Sequence, residues 1–191
     1  MRQNTERRTA LLDAAIEVLA AEGSRGLTFR AIDKEAAVPS GTASNYFPNR
    51  DALLLQAVER TRDRLQRIDA GLEATEKFGP SEELEVDLMR SLYRHMHDNR
   101  SCYLAVLELR LEATRRPELH AALAEIFAYN LRGSLDFNRQ AGLPSDDLTV
   151  VVMFLGMTGL LLEDFTFPEV LADFDKDELI AELTRRAHAR T

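Results

Sequence analysis

The stretch of sequence that decides the fold is Gly26-Leu27-Thr28-Phe29-Arg30-Ala31-Ile32-Asp33-Lys34-Glu35-Ala36-Ala37-Val38-Pro39-Ser40-Gly41-Thr42-Ala43-Ser44-Asn45-Tyr46-Phe47-Pro48-Asn49-Arg50-Asp51-Ala52-Leu53. It predicts two short helices around a tight turn. Thr28 is a good N-cap for a helix that reaches Ala36, and a break at Ala37-Val38-Pro39 precedes a very short second helix over Ser40 to Phe47. The apolar side chains that can pin the two helices together are Ile32, Ala36, Val38 and Phe47.

The second helix is almost bare of bulky charged side chains. It carries small polar residues and one tyrosine, namely Ser40, Gly41, Thr42, Ser44, Asn45 and Tyr46. Such side chains let a helix sit deep in a major groove and reach base edges and phosphates. Helix starts capped by Thr28 and Asn49 would also offer backbone N–H groups to phosphates. The alternative is that this is a compact helical hairpin with no role in DNA binding.

This stretch resembles the TetR family of bacterial transcriptional regulators over about residues 7–57. The matching elements occur in order: the Gly-Leu-Thr entry at 26–28, Ile32, Val38, Gly41-Thr42, Tyr46-Phe47, Asn49-Arg50 and Ala52-Leu53. The resemblance implies a dimer that binds a near-palindromic operator in double-stranded DNA. Each recognition helix would enter a major groove, and a divergent helical body would bind a small ligand.

By matching position, the resemblance also implies which residues contact DNA. Those that look like phosphate contacts are Thr28, Ser44, Tyr46 and Arg50, and those that look like base-reading candidates are Arg30, Ser40, Thr42 and Asn45. Gly41 is also a predicted DNA-binding residue. Four positions depart from the family pattern. Arg50 stands where Lys is usual, Ser44 where Tyr is frequent, Pro39 in place of a capping residue, and Ala37 in place of a common turn glycine.

Helical spacing continues through the rest of the chain, which predicts an all-α protein of about nine helices without a sheet. The further predicted helices cover Thr9–Ala21, Asn49 to Ile68, a segment from Ser81, Cys102–Leu111, Pro117–Gln140, Ser145–Asp164 and Lys176–Ala189. Gly71 and Gly79-Pro80 are the expected connector. We therefore predict a three-helix DNA-binding domain over residues 1–52 and a helical ligand-binding and dimerisation domain over 53–191.

Val150 to Leu162 is nearly continuous apolar sequence, shorter than the ~20 residues that span a membrane. A helix that is apolar all round needs cover on both sides. A second copy of the chain is the economical cover, with close approach at Gly156 and Gly159. The resemblance favours this dimer, with the last helix (Leu179, Leu183 and Ala187) as partner. Full burial within a monomer is the alternative.

A ligand pocket is predicted where aromatic and methionine residues accompany a few polar groups. The candidate pocket residues are Tyr93, His95, Met96, Tyr103, Leu107, Glu108, Phe127, Asn130, Phe154 and Met157. Apolar walls with few polar anchors are typical of ligand pockets, but also of ordinary cores. Glu108, within an apolar run, or His95 is the candidate polar anchor; alternatively Glu108 faces solvent beside Arg110 or Arg115.

Charge, cysteine content and motifs argue against a secreted protein, a zinc-binding protein and an enzyme. The net charge is −8, yet residues 1–50 hold seven Lys or Arg against six Asp or Glu, so the acidic excess lies outside the predicted DNA-reading head. The single Cys102 suits a reducing compartment, and the polar N-terminus lacks a signal-peptide pattern, which predicts a cytoplasmic protein. His95 and His97 are badly spaced for zinc. The motifs G-x-G-x-x-G, G-x-x-x-x-G-K, H-E-x-x-H and G-x-S-x-G do not occur.

We therefore expect no enzyme activity, no metal and no cofactor. The predicted function is a ligand-released transcriptional repressor. A helical-bundle enzyme or metabolite-binding protein with an incidental hairpin is the alternative, and a dimeric helical interaction protein is a third possibility.

Overall fold

A computed structural model describes residues 4–65 and 79–188, and within those ranges the chain is all-α with no strand. Its eight α-helices are α1 Thr5–Gly26, α2 Phe29–Glu35, α3 Arg50–Leu65, α4 Glu82–Asp98, α5 Arg100–Ala113, α6 Pro117–Gln140, α7 Asp147–Thr166 and α8 Lys176–His188. The all-α prediction is confirmed. The very short helix predicted over Ser40 to Phe47 is limited to a 3₁₀ turn at Ala43–Asn45. Ile68, Gly71 and Ala189 lie outside the described residues.

Side-chain caps fix where these helices begin. Thr28 accepts the Ala31 N–H at 3.1 Å, and Asn49 accepts the Ala52 N–H at 2.8 Å, so both predicted caps are confirmed. Asp146 caps α7 by accepting the Thr149 N–H at 2.9 Å. Helix α1 begins before the predicted Thr9, because Asn4 accepts the Glu6 N–H at 2.9 Å. Each cap satisfies an N–H that has no partner within the helix.

The described residues form two compact units, of which the first lies within Met1–Arg67 and Asn99–Ile126. Here α1 packs against α2, α3 and α5, and α3 also packs against α5. The side chains that fill this core with almost no exposure include Leu11, Ile16, Leu19, Leu27, Ile32, Phe47, Leu53, Leu54, Cys102 and Leu109. Full burial of each large side chain contributes about 1.5–3 kcal/mol. The hairpin of α2 and the 3₁₀ turn is held in this core because α2 packs against α1.

The second unit lies within Ile68–Asp98 and Phe127–Thr191, and it is built from α4, α7 and α8, which contact one another. Its core includes Leu84, Met153, Met157, Leu161, Phe165 and Ile180. A Cβ at Gly156 would lie 2.5 Å from Leu183 Cδ1, so the missing side chain is what lets α8 approach α7. Leu183, expected at a contact between two copies, thus packs on a helix of its own chain.

Candidate nucleic-acid interface

The recognition element is a β-turn followed by a single 3₁₀ turn. The Thr42 N–H donates to the Pro39 carbonyl at 3.1 Å, and Gly41 has φ +91°, as the third residue of a type II turn requires. The chain then tightens, with the Asn45 N–H donating to the Thr42 carbonyl at 3.0 Å. A helix cannot start at Ser40 because Gly41 takes a left-handed conformation.

A buried carboxylate that the sequence interpretation overlooked holds this turn. Asp33, on α2, is 3% exposed. Its Oδ2 accepts the Gly41 N–H at 2.6 Å, and its Oδ1 accepts the Ala43 N–H at 2.7 Å. The only signal in the sequence is an acidic residue directly after the core residue Ile32 in a seven-residue helix.

The predicted DNA-contacting residues lie on the same hairpin. Those that are exposed are Thr28, Arg30, Ser40, Gly41, Ser44 and Asn45, and those that are half-buried are Thr42, Tyr46 and Arg50. Ser44 Oγ donates to the Gly41 carbonyl at 2.8 Å, and Asn45 Nδ2 donates to the same carbonyl at 3.0 Å. The Thr42 hydroxyl donates to the Pro39 carbonyl at 2.5 Å. Hydroxyl oxygens that donate in this way keep lone pairs that can accept from the amino groups of bases, but not from phosphates, which have no hydrogen to donate.

Arg50 is tied to the end of α1, because its Nη2 donates to the Ser24 carbonyl. Ser24 is itself held by two carboxylates of α5. Its N–H donates to Glu108 Oε1 at 2.7 Å, and its hydroxyl donates to Glu112 Oε1 at 2.8 Å. We call Ser24, Arg50, Glu108 and Glu112 the Ser24 clasp. The carboxylate of Glu108, the predicted ligand anchor, therefore accepts a hydrogen bond from the Ser24 backbone N–H within the first unit.

The Ser24 clasp extends to the first turn of α3. Arg116 donates to Glu112 Oε2 through Nε at 2.8 Å and to Asp51 through Nη1. The hydrogen bond from Arg116, followed by that from Ser24, lowers the pKa of Glu112 from 4.5 to about 2. Glu112 is thus ionised at neutral pH. The two ends of the hairpin formed by α2 and the 3₁₀ turn are therefore connected to α5. Ser24, before α2, bonds Glu108 and Glu112, and Asp51, at the start of α3, bonds Arg116, which bonds Glu112.

The predicted pocket residues fall in both units, with Tyr103, Leu107 and Glu108 in the first and the others in the second. In the second unit, Tyr93 donates its hydroxyl to Asp164 Oδ2 at 2.7 Å, and burial together with this bond raises the pKa of the phenol. An open cavity of about 250 Å³ there is lined by Tyr93, Arg94, His97 and Asp98. Of the predicted set, Met157 is buried and Phe154 is half-buried.

The first unit has a second open cavity, of about 400 Å³. It is lined by Asp51, Leu54, Leu55, Arg115, Arg116, Pro117, Glu118 and Leu119. None of these residues was predicted as a ligand contact. Arg116 is engaged by Glu112 and Asp51, and Arg115 lies 3.5 Å from Glu112, so both guanidinium groups of the cavity are already paired.

A Ser–His–Glu cluster in the second unit resembles catalytic machinery but lacks its geometry. Ser145 Oγ lies 3.2 Å from His188 Nε2, and Glu85 Oε2 meets the same ring nitrogen. A catalytic triad needs the serine and the carboxylate on opposite nitrogens of the ring. Glu85 also accepts the Ser145 N–H at 3.3 Å, so the cluster ties α4 to the end of α8.

Metal and thiol chemistry find little support in this structure. Among residues 4–65 and 79–188, no group of three or more His, Cys, Asp or Glu is arranged to hold a metal ion. Burial raises the pKa of the Cys102 thiol to about 11. The thiol is therefore protonated at neutral pH, whereas a reactive cysteine needs its thiolate.

Comparisons with known proteins agree with these features. A family model for "Bacterial regulatory proteins, tetR family" matches residues 11–57, and one for "Tetracyclin repressor-like, C-terminal domain" matches residues 80–190. The HTH-type transcriptional regulator UidR of Escherichia coli strain K12 is 26% identical over 186 residues, which is 92% of this chain and 85% of UidR. The HTH-type transcriptional regulator BetI of Agrobacterium fabrum is 30% identical over 74% of this chain and 67% of BetI.

Solved structures show the same fold. The multidrug binding protein EbrR in complex with ethidium superposes with a TM-score of 0.68 at 26% identity, over 97% of this chain and 99% of EbrR. A TetR-family member from Streptomyces coelicolor A3 has a TM-score of 0.67 at 26% identity, over 97% of this chain and 99% of its own. With a family model covering more than half of its length and a second one covering the reading hairpin, the chain belongs to the TetR family of DNA-binding transcriptional regulators.

Proposed function

We propose that this protein is a cytoplasmic homodimeric repressor that leaves its operator when a small molecule binds its body. The observation that carries the proposal is the hairpin of α2 and the recognition turn, with small polar side chains exposed at its tip, in a chain of the TetR family. No enzyme activity is part of the proposal, since the Ser–His–Glu cluster of Ser145, His188 and Glu85 puts both partners on the same ring nitrogen.

At the operator, we assign two kinds of contact. Tyr46 and Thr28 contact phosphates, and Ser44 does so when its hydroxyl turns from the Gly41 carbonyl to the phosphate, while Asn45 and Thr42 reach base edges in the major groove. Arg50 also belongs to the phosphate contacts, with its hydrogen bond to Ser24 holding the guanidinium in place.

For the dimer, we propose the outer face of α7 as the interface. Leu148, Val152, Leu155, Gly159 and Leu162 follow one another at spacings of four, three, four and three residues, and the four large side chains are 66%, 42%, 61% and 40% exposed. This is the spacing of a seam between two helices, and an open glycine permits close approach. A membrane could also cover an apolar helix, and α7 is long and apolar enough by length and composition alone. Because Gly156 on the other side of α7 packs against Leu183 of α8, α7 is part of the core of the second unit, and we therefore favour the dimer over a membrane.

For the effector, we propose a hydrophobic or aromatic molecule bound in the second unit near Tyr93. The related EbrR has been solved with ethidium and with proflavin. The cavity beside Tyr93, at about 250 Å³, is smaller than the ~300–1,000 Å³ of typical ligand pockets. An effector must therefore favour a wider conformation of the body. If that conformation sets the two reading heads at the wrong spacing, the effector and DNA weaken each other's binding by the same factor.

The test begins with selection of a binding site from a randomised DNA duplex library. We expect an inverted repeat, with half-sites about 34–36 Å or a related distance apart. Sedimentation of the free protein at micromolar concentration should show a dimer. Ethidium and proflavin are then tested for thermal stabilisation of the protein and for loss of operator affinity. Enrichment of no sequence would contradict the DNA-binding assignment, and a dye that stabilises the protein without changing operator affinity would contradict the switch.

A further inference from the structure

We infer that Asp33 is a positioning residue for operator binding, whose carboxylate replaces a local cap and holds the recognition turn in its DNA-reading shape. The inference rests on the proposed DNA-binding function and adds a residue that does not itself touch DNA. Asp33 is 3% exposed and lies behind the recognition turn, on α2.

Asp33 accepts from two N–H groups, that of Gly41 inside the β-turn and that of Ala43 at the first residue of the 3₁₀ turn. The first N–H groups of any helix point away from its own carbonyls and need an outside acceptor. Such an acceptor is usually a side-chain oxygen of the residue just before the helix, but Thr42, which precedes the 3₁₀ turn, makes no such bond. Its hydroxyl donates to the Pro39 carbonyl instead, and Pro39 itself has no side-chain oxygen. Asp33 supplies two oxygens from the preceding helix, at 2.6 Å from the Gly41 nitrogen and 2.7 Å from the Ala43 nitrogen.

The geometry requires a carboxylate and not merely a polar side chain. An ionised carboxylate is an acceptor at both oxygens, and hydrogen bonds to it are stronger than those between neutral groups. An asparagine would keep one acceptor but turn an NH₂ donor toward the second N–H. Because Ala43 is fully buried, its N–H has no access to water that could replace the lost bond.

The consequence for function follows from the position of the exposed residues. Ser40, Ser44 and Asn45 are carried by the backbone that Asp33 fixes at Gly41 and Ala43. If the turn opens, only the molecules with a closed turn can read the operator. The apparent dissociation constant then equals the intrinsic constant divided by the fraction of molecules whose turn is closed. Non-specific attraction to DNA depends on the summed charge and does not require a closed turn.

The experiment compares Asp33→Ala and Asp33→Asn with Glu35→Ala. Glu35 lies on the same helix and is exposed, and Glu35→Ala removes the same negative charge as the Asp33 substitutions. Operator affinity is measured on the duplex selected by the wild-type protein, and non-specific affinity on a scrambled duplex of equal length. We expect both Asp33 variants to lose about ten- to a hundredfold in operator affinity, the effect of leaving one or two buried N–H groups unpaired. All three variants should keep or slightly gain affinity for the scrambled duplex.

Two further measurements separate positioning from general stability. Hydrogen exchange of the free wild-type protein should show protected amides at Gly41 and Ala43, which requires no variant to fold. Pro39→Ser supplies a hydroxyl two residues before Gly41, within reach of the Gly41 N–H, and should recover part of the operator affinity lost in Asp33→Ala. Unprotected amides at both positions would overturn the inference. So would an Asp33→Ala protein that is folded and retains the operator preference of Glu35→Ala. Failure of the wild-type protein to select any site would instead refute the DNA-binding function itself.

Discussion

Glu112 of the Ser24 clasp gives folding stability a specific pH dependence. Its carboxylate, 13% exposed, accepts from Ser24 and Arg116, and these bonds lower its pKa from 4.5 to about 2. That difference corresponds to about 3 kcal/mol, and solvent screening at the partly exposed Arg116 reduces it to about 2 kcal/mol. The native pKa is depressed, so this stability is fully present above pH 4.5 and is lost as the pH falls toward about 2.

The perturbation is Glu112→Gln, which removes the titrating group and keeps an oxygen for the Ser24 hydroxyl. At neutral pH, the variant should be about 2 kcal/mol less stable than the wild type in urea unfolding at fixed protein concentration. This gap should close as the pH falls below 4.5, because only the wild type loses the contribution of an ionised Glu112. Glu118→Gln, at an exposed position of α6, is the matched control and should track the wild type. A gap between wild type and Glu112→Gln that stays constant from neutral pH to about pH 2 would refute the reasoning.

Three other substitutions probe the turn, the dimer and base reading. Ala37 has φ +52°, a left-handed conformation that costs a residue with a Cβ ~1–2 kcal/mol. Glycine removes this strain, and the ~0.4–1 kcal/mol that it costs through the greater freedom of the unfolded chain is smaller. Ala37→Gly should therefore raise the melting temperature, and a lower melting temperature would contradict this. Leu155→Arg should give folded monomers in sedimentation, whereas Leu111→Arg, equally exposed on α5, should remain dimeric; two dimeric variants would exclude α7 as the interface. Asn45→Ala should relax one base position by ~1–3 kcal/mol in site selection, and an unchanged selected site would remove Asn45 from base reading.

The fold was accessible from sequence because its signals are local. Thr28 and Asn49 cap helices as predicted, since an N-cap acts within three residues of itself. The apolar run of α7 was recognisable for the same reason. The extent of the recognition helix predicted over Ser40 to Phe47 was wrong. The sequence shows that Pro39 stands in place of a capping residue, but it does not show that Gly41 adopts a left-handed conformation and forms a β-turn.

The connections between elements could not be predicted, because they join residues far apart in sequence. Ser24 and Glu108 are separated by 84 positions, and nothing near Glu108 indicates a bond to a backbone N–H. An acidic residue in an apolar run fits a ligand anchor and a structural tie equally well. Likewise, Leu183 shows helical spacing, but only the structure shows that it packs on Gly156 of the same chain.

The dependence of the recognition turn on Asp33 limits how its specificity can be re-engineered. Residues 40–46 look like a cassette that could be exchanged between relatives to redirect a regulator to a new operator. In this chain, the cassette includes a carboxylate seven positions upstream of its first residue, because Asp33, and not the N-cap residue Thr42, accepts from the N–H groups of the turn. A transplant into a scaffold without an acid at the position of Asp33 would carry the reading side chains but not their support. Chimeras should therefore exchange α2 and the turn together.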